Sequence, residues 1–175
     1  MFKRFIPTYH AQNIFVVDQD FYKREGIKNI FIDLDNTLDS YRSTHPDEKV
    51  TSWIRSLVKR GYHVLIVSNN HGPRVEAYAK ALDVPFIHSA RKPFAFKFNR
   101  YMKAHQLIKE ETILIGDQLL TDVLAAKRAK IKVLLTEKLV EEDQWTTRIN
   151  RVFDRPIRRH LQKTNQFKEW SDTND

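Results

Sequence analysis

The stretch Ile30-Phe31-Ile32-Asp33-Leu34-Asp35-Asn36-Thr37-Leu38 decides how this chain is read. An apolar, β-branched and aromatic run bounded by polar residues has the pattern of a buried strand, and this one ends in two carboxylates. Asp33 and Asp35 alternate around Leu34, so while the strand lasts they project to the same side and can converge on one metal ion. Without a cation, two like charges are crowded at the end of an apolar strand. A hard dication relieves that repulsion, and Mg2+ takes oxygen ligands while keeping waters that a phosphate oxygen can replace. The pattern points to phosphoryl transfer. Asp-x-Asp alone is a weak signal, because acidic residues at strand ends are common and often merely solvated.

Working outward, strands are expected at about 29–33, 62–67, 84–88, 112–116 and 131–135, alternating with helical segments. That alternation predicts an α/β fold with a mostly parallel sheet covered on both faces. Val50, Trp53, Ile54, Leu57 and Val58 form one helical stripe, with Pro46 suited to its first turn and Gly61 to its end. Val75, Tyr78, Ala79 and Leu82 give a second stripe; Phe94, Phe98, Tyr101 and Met102 a third; Leu120, Val123 and Leu124 a fourth. All read as core. In such sheets ligands collect beyond the carboxyl ends of the strands, near a topological switch point. Asp33 and Asp35 follow the first strand, Ser68 the second, Lys92 the loop after the third, and Asp117 the fourth.

Composition sets the outer limits. The 175 residues suit one domain able to bury a core without staples. Repeats and Gly/Ser linkers are absent, which predicts a single unit over 1–175 with a catalytic core at about 27–136 and a basic C-terminal extension at about 140–175. There is no cysteine, which excludes disulfides and thiolate metal sites. His10, His45, His63, His88, His105 and His160 show no metal-ligand spacing. No apolar stretch approaches the ~20 residues that span a bilayer, so a cytoplasmic protein, peripheral at most at the inner face of a membrane, is expected. The formal net charge of +8 favours anionic partners: phosphate esters, nucleic acid or acidic lipid.

Asp33-Leu34-Asp35-Asn36-Thr37-Leu38 resembles the first motif of the haloacid dehalogenase (HAD) phosphatase superfamily. Ile66-Val67-Ser68-Asn69 resembles the second, Lys92-Pro93 the third, and Gly116-Asp117-Gln118-Leu119-Leu120-Thr121-Asp122 the fourth, in the right order. The resemblance implies a HAD-like Rossmannoid three-layer sandwich, Mg2+ as cofactor, and a set of roles. Asp33 would be the nucleophile that forms an aspartyl-phosphate. Asp35 would protonate the leaving alkoxide and later take a proton from water, its backbone carbonyl also facing the metal. Ser68 and Lys92 would bind the transferring phosphoryl, with Asn36, Thr37 and Asn69 as further substrate contacts and Asn70 and His71 nearby. Asp33, Asp35, Asp117 and Asp122 would hold the metal. Asp122 has a second reading as an acidic residue in the first turn of the next helix, where negative charge is favoured anyway.

The gaps between motifs are short. About thirty residues separate Leu38 from Ser68, and Asn70 to Lys92 holds one helix and one strand, so the chain resembles the capless class IIIA with no large cap domain. Gly26-Ile27-Lys28, Ser68-Asn69-Asn70 and Ala90-Arg91-Lys92-Pro93 bring it closer still to the YqeG-type family, related to the mitochondrial phosphatidylglycerophosphate phosphatase. That resemblance implies a phospholipid head group as substrate, at a membrane surface. Phe2-Lys3-Arg4-Phe5-Ile6 and the tail with Trp145, Arg148, Ile149, Arg151, Val152, Phe153, Arg155, Ile157, Arg158, Arg159 and Leu161 are the segments suited to an anionic surface. The other reading of the tail has its apolar residues packed on the domain and its arginines solvated, with Pro156 interrupting a long helix. Two further functions stay open: a phosphatase for phosphoprotein, nucleic-acid ends or a small phosphate ester, and a non-catalytic RNA- or ribosome-associated module. Nucleic acid as partner is compatible with the charge but not favoured.

Overall fold

The computed structural model describes residues 2–139 and 145–173, with side chains left out at 145–151 and 173. Trp145, Arg148, Ile149 and Arg151 therefore lie outside the described side chains. The described chain forms one six-stranded sheet, ordered β1-β6-β5-β2-β3-β4 with every pairing parallel. The strands are β1 Tyr9–Ala11, β2 Asn29–Asp33, β3 His63–Val67, β4 Phe86–Ile87, β5 Thr112–Gly116 and β6 Lys132–Thr136. Five of them fall where the apolar runs place them. β1 lies outside the 27–136 span and extends the sheet beyond β6.

Alternation along the central strands sends side chains to two cores. Ile30, Ile32, Val64, Ile66, Ile113 and Ile115 meet helices α1 Gln19–Arg24, α2 Glu48–Lys59 and α3 Gly72–Leu82 on one face. Phe31, Leu65, Val67, Leu114, Val133 and Leu135 meet α4 Phe96–Ala104, α5 Leu124–Ala129 and α6 Trp145–Lys163 on the other. Both faces being covered explains why these strands read as unbroken apolar runs. The connection before α2 is only residues 34–47, and between β3 and Lys92 the chain forms only α3 and β4, so no inserted domain covers the carboxyl ends of the strands.

Several expected core positions fall elsewhere. Asp47 caps α2, its carboxylate accepting from Val50 N–H at 2.7 Å, which leaves Pro46 just outside the helix. Gly61 follows the helix end at φ +86°, a left-handed conformation that suits glycine. Val58 is 47% exposed at the border of the α2 stripe, and Phe94 is 57% exposed in the loop before α4, where Arg128 lies over its ring. Leu119–Val123 is a π-helical turn ahead of α5, and its wider winding puts Leu119, Asp122 and Val123 inside while Leu120 and Leu124 are only half-buried.

Described residues of the C-terminal segment pack on the second core. α6 runs through Pro156 instead of stopping there; Val152 and Pro156 both face solvent, where water can satisfy the carbonyl left without a donor. Leu161 is buried in the second core and Ile157 packs against it. Phe2, Phe5 and Ile6 also pack there, and Phe2 meets the His160 ring, so the amino-terminal apolar residues are engaged within the protein. Beyond α6, Lys168 C=O accepts from His10 N–H at 2.8 Å beside β1. No described helix is long and apolar enough to cross a membrane. Replacing Leu161 by Ala should cost about 2–5 kcal/mol in denaturant unfolding, because it empties a buried site at the α6 contact; a change below about 0.5 kcal/mol would show that α6 does not dock on this core.

Candidate active site

β2 stops at Asp33 because the chain turns back on itself. Asn36 adopts φ +65°, Asn36 N–H donates to Asp39 C=O at 2.7 Å, and Leu38 and Asp39 N–H both donate to Leu34 C=O. Asn is among the few residues that enter the left-handed region readily. β2 ends at Asp33, so the strand alternation does not extend to Asp35, and among the described residues the Asp35 carboxylate lies outside the cluster that Asp33 joins. Asn36 and Thr37 are buried within the turn, and Thr37 Oγ1 has no hydrogen-bond partner among the described residues.

The Asp33 carboxylate joins Asp117 and Asp122 from the far end of β5. Each offers an oxygen within 4.8 Å of the others, and all three are buried. Lys92 is buried with them, its Nζ touching Asp33 Oδ1 and lying 2.7 Å from Asp122 Oδ1. Burial works against the Lys92 charge, but Asp122 and Asp33 outweigh it and raise the ammonium's pKa, so Lys92 is a cation here. Burial also pushes the Asp33 carboxyl well above the usual range; Lys92 opposes that rise, and Asp122, Asp117 and Asp35 add to it. One ammonium thus faces three crowded carboxylates, a surplus of negative charge in a dry site. An all-oxygen donor set with that surplus fits a hard divalent cation, which Asp33, Asp117 and Asp122 would hold.

Local sequence explains how these groups meet. Gly116 is required: a Cβ there would lie 2.3 Å from Asp122 Cγ, so only glycine lets the Asp122 side chain fold over the end of β5. Asp122 Oδ2 also accepts from Gln118 N–H at 3.1 Å, which reconciles its two readings, since it sits in the turn before α5 and inside the cluster at once. Asn69, expected as a substrate contact, clamps the Lys92 backbone from both sides, Lys92 N–H donating to Asn69 Oδ1 at 2.8 Å and Asn69 Nδ2 to Lys92 C=O at 3.1 Å.

Asp35 faces the other way. Its Oδ2 accepts from Ser68 Oγ and Asn70 Nδ2, each at 2.9 Å, and its Oδ1 from Arg74 Nη1 at 2.7 Å. Among the described residues the Asp35 carboxylate is not part of the three-carboxylate cluster. His71 stands exposed at the start of α3 and makes no capping bond.

Three residues escaped the sequence reading. Arg74 lies in the first turn of α3, where the helix dipole disfavours a cation, and that misplacement was the available signal. Arg158, grouped above with the tail cations, is instead drawn inward: Nη2 donates to Asp117 C=O and Nη1 to Glu137 Oε1, both at 2.7 Å. Asp154, one turn earlier on α6, accepts from Leu120 N–H at 3.0 Å. An Asp and an Arg at i, i+4, in phase with Leu161, mark that inward face. α6 therefore braces the loop that carries Asp117.

The sequence profile described as "Mitochondrial PGP phosphatase" matches residues 2–140. The chain belongs to this family. It is 35% identical over 170 residues to "Probable phosphatase YqeG" of Bacillus subtilis, covering 97% of this chain and 98% of that protein. It is 26% identical to "Phosphatidylglycerophosphate phosphatase 1, chloroplastic/mitochondrial" of Arabidopsis thaliana, over 90% of this chain and 49% of that longer protein. Among solved structures, 3-deoxy-D-manno-octulosonate 8-phosphate phosphatase from Yersinia pestis superposes with TM-score 0.51 at 16% identity, covering 70% of this chain and 79% of its own. The same enzyme from Moraxella catarrhalis, solved with magnesium, phosphate and KDO, gives 0.50 at 16% identity over 69% and 84%. These likenesses show a HAD fold, and with the family they make the chain a HAD-type phosphatase, a hydrolase of phosphoric monoesters.

A divalent cation should raise the thermal midpoint, since binding at 100 times Kd adds about 2.7 kcal/mol. The shift should shrink as pH falls, because the raised Asp33 carboxyl then holds a proton that competes with the metal. Asp117→Asn and Gly116→Ala should each abolish most of it; differential scanning fluorimetry showing no shift with any divalent cation would contradict the metal reading.

Proposed function

We propose that this phosphatase hydrolyses its monoester through an aspartyl-phosphate on Asp33, with Mg2+ as cofactor and phosphatidylglycerophosphate as substrate. The observation that carries the chemistry is the buried Asp33, flanked by Lys92 and by two further carboxylates at the switch point between β2 and β5. Mg2+ supplies charge neutralisation for phosphoryl oxygens when bound; the backbone carbonyl of Asp35 would complete its protein ligands, as the HAD resemblance implies.

An Asp33 carboxylate oxygen attacks phosphorus, and the bond to the leaving alkoxide oxygen breaks. Asp35 delivers its proton to that oxygen. Water then attacks the phosphoryl group, giving its proton to the Asp35 carboxylate, and inorganic phosphate departs with Asp33 restored. Lys92 holds negative charge at Asp33 and on the phosphoryl oxygens, and Ser68 Oγ–H supports one of those oxygens. The substrate assignment is supported by the family match and by the Arabidopsis relative's name. The short segments 34–47 and 68–92 support the capless class IIIA form, and the proposal takes the chain as one unit over residues 1–175 acting at the inner face of a membrane.

Phosphate release measured from phosphatidylglycerophosphate beside a panel of soluble esters tests the assignment. The lipid should give the highest kcat/KM, chelation should abolish turnover, and Asp33→Asn should be inactive yet folded. A soluble ester turned over at higher kcat/KM would overturn the lipid substrate, and an active Asp33→Asn would overturn the nucleophile.

Val152 and Phe153 are 66% and 62% exposed on α6, with Arg155 and Arg159 exposed beside them. If this face meets acidic lipid, replacing both arginines by Gln should weaken vesicle attachment roughly 30-fold, at about 1 kcal/mol per cation. Activity on anionic vesicles should fall more than activity on a soluble ester, and salt should shrink the difference. Arg158 must stay, because its role at Asp117 would confound the comparison; equal loss on both substrates would contradict a membrane role for this face.

A further inference from the structure

We propose that Arg74 is the positioning residue of the acid/base step, holding Asp35 aimed at the leaving oxygen while Ser68 turns to the phosphoryl group; this rests on the acid/base reading of Asp35. Ser68 Oγ–H carries a single proton, and in the present structure it is donated to Asp35 Oδ2 at 2.9 Å. A hydroxyl cannot donate that one proton to two acceptors at once. When Ser68 supports a phosphoryl oxygen, Asp35 loses that anchor just as it must act. What remains is Asn70 Nδ2 on Oδ2 and Arg74 Nη1 on Oδ1, at 2.9 and 2.7 Å.

Arg74 is fixed well enough to do this. Its guanidinium uses three nitrogens in one fork: Nη1 to Asp35, Nη2 to Ser40 C=O at 2.9 Å and Nε to Ser43 C=O at 2.9 Å. The segment it grips is itself anchored, because Asp39 accepts from Tyr78 OH at 2.8 Å and from Ser43 Oγ at 2.6 Å. One planar side chain thus ties the loop that follows β2 to the Asp35 carboxylate, and the two cannot shift independently. Its place in the first turn of α3, where the dipole disfavours positive charge, fits a residue kept for a tertiary task. Arg74 holds negative charge on Oδ1 while the departure of Ser68 frees a lone pair on Oδ2 beside Asn70, so Oδ2 is the oxygen that carries and delivers the proton. Lysine could supply the charge but not the fork.

The test separates this task from a structural one through the leaving group. A primary alkoxide needs its proton as the ester bond breaks, whereas p-nitrophenolate leaves without one. kcat/KM reports the step up to that departure. Arg74→Ala should lower kcat/KM for a primary alkyl phosphate about tenfold more than for p-nitrophenyl phosphate, part of the ~10²–10⁴-fold that a positioned general acid contributes. Asp35→Asn should show the same selectivity more strongly, and adding Arg74→Ala to it should change the selectivity no further. Arg74→Lys should recover less than half of the loss, and added guanidinium ion should restore activity to Arg74→Ala on the alkyl substrate alone. Equal losses on both substrates in Arg74→Ala and Arg74→Lys, with selectivity present in Asp35→Asn, would overturn the role of Arg74. Absence of selectivity in Asp35→Asn itself would instead overturn the acid/base reading, and the inference with it.

Discussion

The contact between Lys92 and the carboxylates of Asp33 and Asp122 is the constraint on which the site depends. Buried carboxylates at the ends of two adjacent parallel strands repel, and removing them from water makes that repulsion stronger. The fold offers one ammonium against three such groups, and the remaining charge fits a divalent cation. Everything around the contact keeps it in register. Asn69 grips the Lys92 backbone, Gly116 clears space for Asp122, and the π-helical turn winds Asp122 inward.

A second layer holds the first. Arg158 fixes the Asp117 carbonyl and is shared with Glu137, whose carboxyl is kept below its usual range by its hydrogen bond to His10 and by Arg158. His10 also reaches Glu169 at 2.7 Å, so the C-terminal segment, the edge strand β1 and the Asp117 loop form one connected polar chain. Asp35 has a separate support in Ser68, Asn70 and Arg74. The two aspartates of the first motif therefore have different surroundings, Asp33 meeting Lys92 and the carboxylates beyond β5, Asp35 meeting the end of β3 and α3.

Much of this was legible in the sequence because it is local. β2, β3, β5 and β6 are apolar runs long enough to declare themselves, and Asp33, Ser68, Lys92 and Asp117 each stand at or just beyond a strand end. What was not legible depends on pairing between distant segments. β1 is only Tyr9–Ala11, with a histidine at its centre, and becomes a strand because β6 on one side and the stretch near Glu169 on the other complete its bonds. β2 ends at Asp33, so strand periodicity does not reach Asp35 or foresee its partners Ser68, Asn70 and Arg74. Arg74 meets Asp35 across 39 residues and Arg158 meets Asp117 across 41, so neither partnership leaves a spacing to read. Val58 and Phe94 show the reverse error, apolar residues in phase with a stripe but lying past the edge of the core.

The central claim is that Asp33 becomes covalently phosphorylated. Rapid acid quench of the Asp35→Asn variant during turnover of p-nitrophenyl phosphate, followed by peptide mapping, measures it directly, because departure of the aryl oxide needs no proton from Asp35 whereas hydrolysis of the aspartyl-phosphate needs Asp35 to take a proton from water. The account predicts one phosphoryl group on the peptide carrying Asp33, and none when Asp33 is also replaced by Asn. A phosphoryl group on another residue, or turnover with no phosphorylated protein at any quench time, would contradict it.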